Sequence, residues 1–286
     1  MKRTLLINLV SSISLIFIGS VLAPSVSADS PIHTGKNDVV EIKQALKIVS
    51  KNNVYFAHKS VGNNIITGIE EIAQQYSIDI DIVKTDSRTK LNSQHAFYHS
   101  MGGYNKDPIS KIDDFVSQIK ANAHINQTQI AFMKFCYLDF APEANVNQIF
   151  EYYKNELHKL EVSFPDITFL HLSVPLTGDG KGFKKAVKRF FGMTTWEQES
   201  NIVRERFSTL LREYYSADSL FDLAKIESTY FDGSRSTFTK DGKYHYNLVE
   251  DFTSNGGHLN SVGRKHVATQ FVMFLSKQLS INDFKQ

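Results

Sequence analysis

From Val39 onward, apolar residues along the chain switch repeatedly between a helical and an extended spacing. "VVEIKQALKIVSK" (Val39 to Lys51) carries its apolar residues at helical spacing, and "NVYFAH" (Asn53 to His58) is a short apolar run of the kind that makes a buried strand. In "VGNNIITGIEEIAQQY" (Val61 to Tyr76), Ile65, Ile66, Ile69, Ile72 and Ala73 form one helical stripe. "IDIDIV" (Ile78 to Val83) alternates strictly, which predicts a half-exposed strand, and the polar stretch from Lys84 to Asp107, with "MGGYNKD" inside it, predicts a long loop. "PISKIDDFVSQIKANA" opens with Pro108, a residue suited to the first turn of a helix. "QIAFMKFCYLDF" (Gln129 to Phe140) predicts a strand running into a loop. "VNQIFEYYKNELHKLEVSF" predicts a helix and "DITFLHLSVPL" (Asp166 to Leu176) a strand ending at Pro175. "TWEQESNIVRERFSTLLREYY" is helical in pattern, "SLFDLAKIES" contains a short strand, and an irregular polar stretch follows. "NGGHLNSVGRKHVATQFVMFLSKQL" predicts a loop and a final helix. Strands that alternate with helices predict an α/β fold around a mainly parallel sheet. No repeat, low-complexity tract or linker divides the chain, so residues 29–286 are expected to form one domain.

The first residues follow a different pattern. Lys2 and Arg3 precede a mostly apolar run from Leu5 to Leu22, interrupted by Asn8 and several serines, and then comes "APSVSADS". Small residues at Val26 and Ala28 predict a secretory signal over residues 1–28, cleaved after Ala28. A permanent anchor fits less well, because the run is borderline in length and polar in places. No cysteine follows it to carry a lipid. The expected location is therefore the cell surface, the periplasm or the medium. A 286-residue chain with 42% hydrophobic and 22% charged residues can build a sizeable core. Its net charge of +2 argues against a nucleic-acid partner. With Cys136 alone, neither an intrachain disulfide nor a cysteine-rich zinc site can form, and Cys136 at the end of an apolar strand reads as a small buried hydrophobe. His95 and His99 stand four apart in "HAFYH", but a zinc protease needs a glutamate where Ala96 stands, so no metal is expected. Lys181, Lys184, Lys185, Lys188 and Arg189 interleave with Phe183, Phe190 and Phe191. That stretch, 181–191, reads as a solvated helix or as a lid touching anionic glycan or lipid, the one route to membrane contact.

"YFAHKSVGNNII" (Tyr55 to Ile66) places Ser60 where a strand turns into a helix. A serine there either caps the helix or acts as a nucleophile. In an open parallel sheet, reactive groups gather at the carboxyl ends of the strands. Ser60, the loop with Gly102, Gly103 and Asn105, the Tyr137–Asp139 turn, and His258 before the last helix all belong there by this reading. A histidine that takes the serine proton, with N–H groups waiting for the oxyanion, would make Ser60 reactive. The α/β-hydrolase elbow is disfavoured, because it wants a glycine where His58 stands. His58 is expected to pack or hydrogen-bond beneath Ser60, and Asp139 to cap its loop or border a pocket. Gly102 and Gly103 either permit a turn or supply a donor.

The chain resembles the SGNH (GDSL-like) hydrolases. "HKSVGNN" stands at the first block and "NGGHLNSVG" at the last, and the order of elements agrees over most of residues 50–280. "HLSVPLT" and "LFDLA" fall at that family's fourth and fifth strands. The resemblance implies a three-layer α/β/α sandwich with a mainly parallel, flavodoxin-like sheet, and ester hydrolysis or acyl transfer without a cofactor. It implies Ser60 as nucleophile, His258 as base, and the backbone N–H groups of Ser60 and Gly103 as oxyanion donors. Three departures stand out: His58-Lys59-Ser60 replaces G-D-S, "KFCYLDF" replaces the asparagine-bearing third block, and Asn255 occupies the acid position. Asn105 is the candidate substitute for the third-block donor, and Asp251 the alternative acid. A short acyl ester, an O-acetyl group included, on an extracellular glycan is the substrate class the resemblance suggests. An O-acyltransferase using the same residues and a non-catalytic glycan-binding module are the alternatives.

Overall fold

A computed structural model describes residues 36–85, 95–179, 187 and 193–283. The expected signal segment and nearly all of the basic stretch 181–191 lie outside the described residues. In chain order the main elements are α1 (Lys36–Val49), β1 (Val54–Ala57), α2 (Val61–Tyr76), β2 (Ile82–Thr85), β3 (Phe97–Ser100), α3 (Pro108–Asn126), β4 (Ile130–Met133), α4 (Val146–Ser163) and β5 (Thr168–Leu172). Then come α5 (Trp196–Tyr214), β6 (Leu220–Phe221), α6 (Leu223–Glu227), β7 (Thr237–Lys240), β8 (Lys243–Tyr246) and α7 (Ser261–Asp283). Short 3-10 turns at Tyr137–Asp139 and Glu250–Phe252 complete the list.

Six strands form one sheet in the order β2-β3-β1-β4-β5-β6, and every pairing in it is parallel. Five of them, β3-β1-β4-β5-β6, follow the flavodoxin-like order, and β2 adds an edge outside β3. Side chains alternate across a strand, and β1 shows the result. Val54 and Phe56 join the core under α1, α2 and α7, while Tyr55 and Ala57 join the one under α3, α4 and α5. The molecule is therefore the expected α/β/α sandwich, and because all six strands are parallel their carboxyl ends share one edge.

Three expectations need correction. Residues 84–107 are not one long loop, because β3 lies in the sheet between β1 and β2. Its apolar run is only Ala96, Phe97 and Tyr98, and its last two residues are polar yet buried. Their polar atoms are satisfied inside: Tyr55 Oη and Ser100 Oγ lie 2.7 Å apart, and His58 Nε2 and His99 Nδ1 2.9 Å apart. The strand expected over Ile78–Val83 begins only at Ile82. The alternation there marks an extended segment whose Ile78, Ile80 and Ile82 lean on the core without pairing along their whole length. Within the polar stretch before the last helix, β7 and β8 pair as an antiparallel hairpin. The Asp241-Gly242 pair between alternating residues is a strong hairpin signal.

Candidate active site

Ser60 follows β1 at the carboxyl edge and begins α2. As a plain N-cap its hydroxyl would accept a hydrogen bond from the first turn, but the side chain makes no capping bond. Instead Ser60 Oγ lies 2.6 Å from His258 Nε2. The backbone at Ser60 has φ 51° and ψ −107°, well outside the ordinary range for a residue with a Cβ. Such a conformation costs on the order of 1–3 kcal/mol and persists only where the surroundings enforce it. Here they do so by turning the chain sharply and presenting Oγ at the sheet edge.

Helix packing brings His258 to the serine. α2 and α7 lie side by side, tied by Arg264 Nη2 donating to Glu71 Oε1 at 2.5 Å. Asn64, on the first turns of α2, accepts the Leu259 N–H at 3.2 Å, which ties the histidine loop to the serine helix. Asn260 Oδ1 accepts from Gly263 N and caps the start of α7. Thr253 Oγ1 donates to the His258 carbonyl at 2.7 Å and accepts from Gly256 N at 3.0 Å, closing the loop on itself.

Asn255 is the partner of His258 Nδ1, with its Nδ2 at 3.1 Å. The way the amide faces follows from its other end: Oδ1 accepts two backbone N–H groups, from Gly257 at 3.0 Å and His258 at 2.8 Å. A side-chain NH2 turned toward those donors would lose both bonds. The NH2 therefore points at Nδ1, which must accept, and the neutral imidazole carries its proton on Nε2. Asp251, the alternative acid, is exposed in the Glu250–Phe252 turn, where its main-chain carbonyl accepts from Asn260 Nδ2.

The second and third loops are locked together beside this pair. Asp139, fully buried, accepts from Lys111 Nζ at 2.6 Å, from Cys136 N at 2.7 Å and from Lys106 N at 2.9 Å. It thus caps its own turn and also holds the 102–107 loop. Lys111 Nζ donates in addition to Asn105 Oδ1 at 3.1 Å, so the carbonyl end of Asn105 is committed to the lysine. Gly103 has φ +63°, and a Cβ there would come within 2.6 Å of Lys111 Cα. Only glycine lets this loop lie so close to α3. His58 packs below Ser60 with its ring stacked on that of His99, centroids 5.1 Å apart, and burial together with the neighbouring His99 pushes its pKa well below the ordinary value. Cys136 is buried, and among the described residues no cluster of His, Cys, Asp and Glu could hold a metal ion. His95 and His99 take positions before and within a strand rather than on one helix face.

One residue that spacing alone did not single out lies against the pair. The Tyr137 ring meets the His258 ring edge-on, with centroids 6.0 Å apart. Its hydroxyl faces the Gly257 backbone, where a Cβ would lie 3.0 Å from it, and the Ser60 side chain acts to lower the pKa of the phenol against the larger effect of burial. The fully buried Arg204 lies 5.6 Å from the Tyr137 ring centroid and donates from Nε to the Tyr137 carbonyl at 2.9 Å. Its Nη1 holds Thr177 Oγ1 and Asn201 Oδ1, so the cation is itself fixed. The Tyr137–Asp139 turn was expected at this edge, but a tyrosine in a turn after an apolar strand carries no motif, so the sequence assigned it no role of its own.

No family model matches the chain, and no curated protein matches it. Solved structures overlap with it in part. One, named as a platelet activating factor from Streptococcus pneumonia, is 12% identical, with a TM-score of 0.44 over 82% of this chain and 91% of that one. Another, named as a lipolytic protein of the G-D-S-L family from Desulfitobacterium hafniense, is 13% identical, with a TM-score of 0.40 over 78% of this chain and 99% of that one. A two-domain esterase active on acetylated mannans is 11% identical, with a TM-score of 0.34 over 84% of this chain and 53% of the esterase.

Proposed function

We propose that this protein is an SGNH-like serine ester hydrolase that removes a short acyl group, with an O-acetyl ester on a glycan as the first substrate class to try. One observation carries the reading: Ser60 forgoes the capping bond open to it and sits, on a strained backbone, 2.6 Å from His258 Nε2. In the first half-reaction Ser60 Oγ bonds to the acyl carbon while His258 takes the serine proton, and that proton then goes to the leaving alcohol as the C–O bond breaks. In the second, water attacks the acyl-serine as His258 takes its proton, the acyl carbon–Oγ bond breaks, and His258 returns the proton to Ser60 Oγ as the acid leaves. The N–H of Ser60, at the start of α2, and that of Gly103 are the backbone candidates to receive the oxyanion.

The Asn255 amide makes this a slow version of the reaction. It favours the tautomer in which Nε2 donates to Ser60, whereas a general base needs Nε2 free to accept. Turnover then runs through the minor tautomer. The same observation motivates a second reading, a glycan-binding module that has lost its chemistry. Hydrolysis of p-nitrophenyl acetate by wild type and Ser60→Ala, together with fluorophosphonate labelling, separates the two. The esterase reading expects label on Ser60 and loss of the protein-dependent rate in Ser60→Ala. Equal rates for the two proteins and an unlabelled serine would overturn it in favour of the binding module.

A further inference from the structure

Beyond the serine and histidine, we infer that Tyr137 is a catalytic residue of this site, its phenol O–H donating to the oxyanion formed when Ser60 attacks an ester. The inference rests on the ester-hydrolase reading above and adds a donor which that reading does not contain. Three observations carry it. Tyr137 belongs to the turn after β4, the strand paired directly with β1, so its side chain starts from the same sheet edge as Ser60. Its ring meets His258 edge-on, the histidine whose Nε2 lies 2.6 Å from Ser60 Oγ, and its hydroxyl faces the Gly257 backbone. It is held there from both ends of the residue: Arg204 binds the main-chain carbonyl and also stands over the ring.

The other side chain on offer is less well placed for the task. Asn105 is exposed, and its carbonyl is engaged by Lys111, a residue already committed to Asp139. A phenol could in principle serve as a base instead of a donor. Burial, and after it the neighbouring Cys136, raises the Tyr137 pKa, so the group keeps its proton and has an O–H to donate. A guanidinium beside the ring draws electron density from it and strengthens that O–H as a donor.

The step involves no proton transfer to or from Tyr137. As the Ser60 Oγ–carbon bond forms, the carbonyl π pair moves onto oxygen, and the phenol O–H shortens its hydrogen bond to that charge. When the pair returns, the bond to the alcohol breaks and the alkoxide takes the proton held by His258. Such a donor acts on the transition state more than on the ground state.

Tyr137→Phe keeps the ring, its packing and the Arg204 contact while deleting the hydroxyl. Hydrolysis of p-nitrophenyl acetate by wild type and Tyr137→Phe is to be measured with inhibition by a simple alkyl boronic acid, whose tetrahedral adduct with Ser60 carries a charged oxygen. The expected result is a kcat lower by about a hundred- to a thousandfold, KM changed by less than about threefold, and boronate affinity weakened in parallel with kcat, at an unchanged melting temperature. A Tyr137→Phe rate within threefold of wild type would overturn the role of Tyr137 alone. So would a fall in kcat that comes with a lower melting temperature and leaves boronate affinity intact. A wild type without Ser60-dependent hydrolysis would remove the ester-hydrolase reading and the role of Tyr137 with it.

Discussion

Asn255 controls the histidine through a single atom. Its Oδ1 is held by two backbone N–H groups, so whatever replaces Nδ2 faces Nδ1 of His258. Asn255→Asp would keep both backbone bonds and put a carboxylate oxygen where the NH2 was. Nδ1 would then carry the proton, Nε2 would be free to accept from Ser60, and the imidazolium of the transition state would gain a counter-charge. In serine proteases the reverse change lowers kcat about ten-thousandfold, chiefly through the wrong tautomer. We expect Asn255→Asp to raise kcat for p-nitrophenyl acetate by at least about tenfold, with KM nearly constant. Steady-state kinetics on freshly purified protein is the check, because the Asn255-Gly256 pair is prone to deamidate to the very residue being introduced. An unchanged or lower kcat would show that the amide is not what limits the histidine. The residue scale is also where sequence reading came closest to the site. Ser60, His258 and Asn255 were all named from local strings, but the orientation of the amide depends on hydrogen bonds no string records.

At the scale of elements, the turn from β1 into α2 does the most to shape the site. A Cβ on Gly62 would fall 2.4 Å from His58 Cβ and Cγ, so the first turn of α2 closes over the histidine side chain only because residue 62 has none. His58 is pinned in turn by His99 on the neighbouring strand. Gly62→Ala is therefore expected to cost roughly 1–3 kcal/mol by overpacking and to slow fluorophosphonate labelling of Ser60, since the strained serine lies between the two residues forced apart. Urea denaturation and labelling kinetics would test this, and wild-type values in both would show that α2 can shift without disturbing the serine. Most elements were legible from spacing: α2 begins and ends at the residues its apolar stripe predicts. β3 was not, because its sequence is half polar and only the pairings of His99 and Ser100 across the sheet make it a buried strand. The β7–β8 hairpin was missed for a different reason. Its signal, an Asp-Gly turn between alternating residues, was present but sat inside a stretch read as irregular.

For the whole molecule, the buried histidines set the response to acid. Burial lowers the pKa of His99 and His266 to about 4 and of His171 to about 3, and His58 is lowered well below the ordinary value. The unfolded chain takes up these protons near pH 6.5, while the folded chain resists until far lower. As pH falls through that window the unfolded state binds more protons and stability is lost. His58 and His171, the most deeply buried, each contribute up to about 1.4 kcal/mol per pH unit; His99 and His266 contribute less, being nearer solvent. Glu227 opposes them, since burial raises its carboxyl to about 8 and the fold therefore holds that proton where the unfolded chain releases it. Burial raises the Asp114 and Glu161 carboxyls in the same sense, but both lie nearer solvent, and the four histidines outweigh the three carboxyls, so the urea midpoint should drop between pH 6.5 and about 4. A midpoint constant over that range would mean that these imidazoles are not buried neutral.

The sequence by itself determined the α/β class, the alternation of strands and helices, and the placing of Ser60 at a strand–helix junction with His258 before the last helix. These follow from local rules, because periodicity records which face of each segment leaves water and turn residues mark where segments end. Only the tertiary structure decided which of those residues meet. Ser60 and His258 are 198 positions apart, and their 2.6 Å contact exists because α2 and α7 pack together at one edge of the parallel sheet. Tyr137, from the turn after β4, is brought against His258 in the same way, from a distant part of the chain. A hydrogen bond between distant segments depends on distance and direction in space, and neither is written in the spacing of residues along a chain.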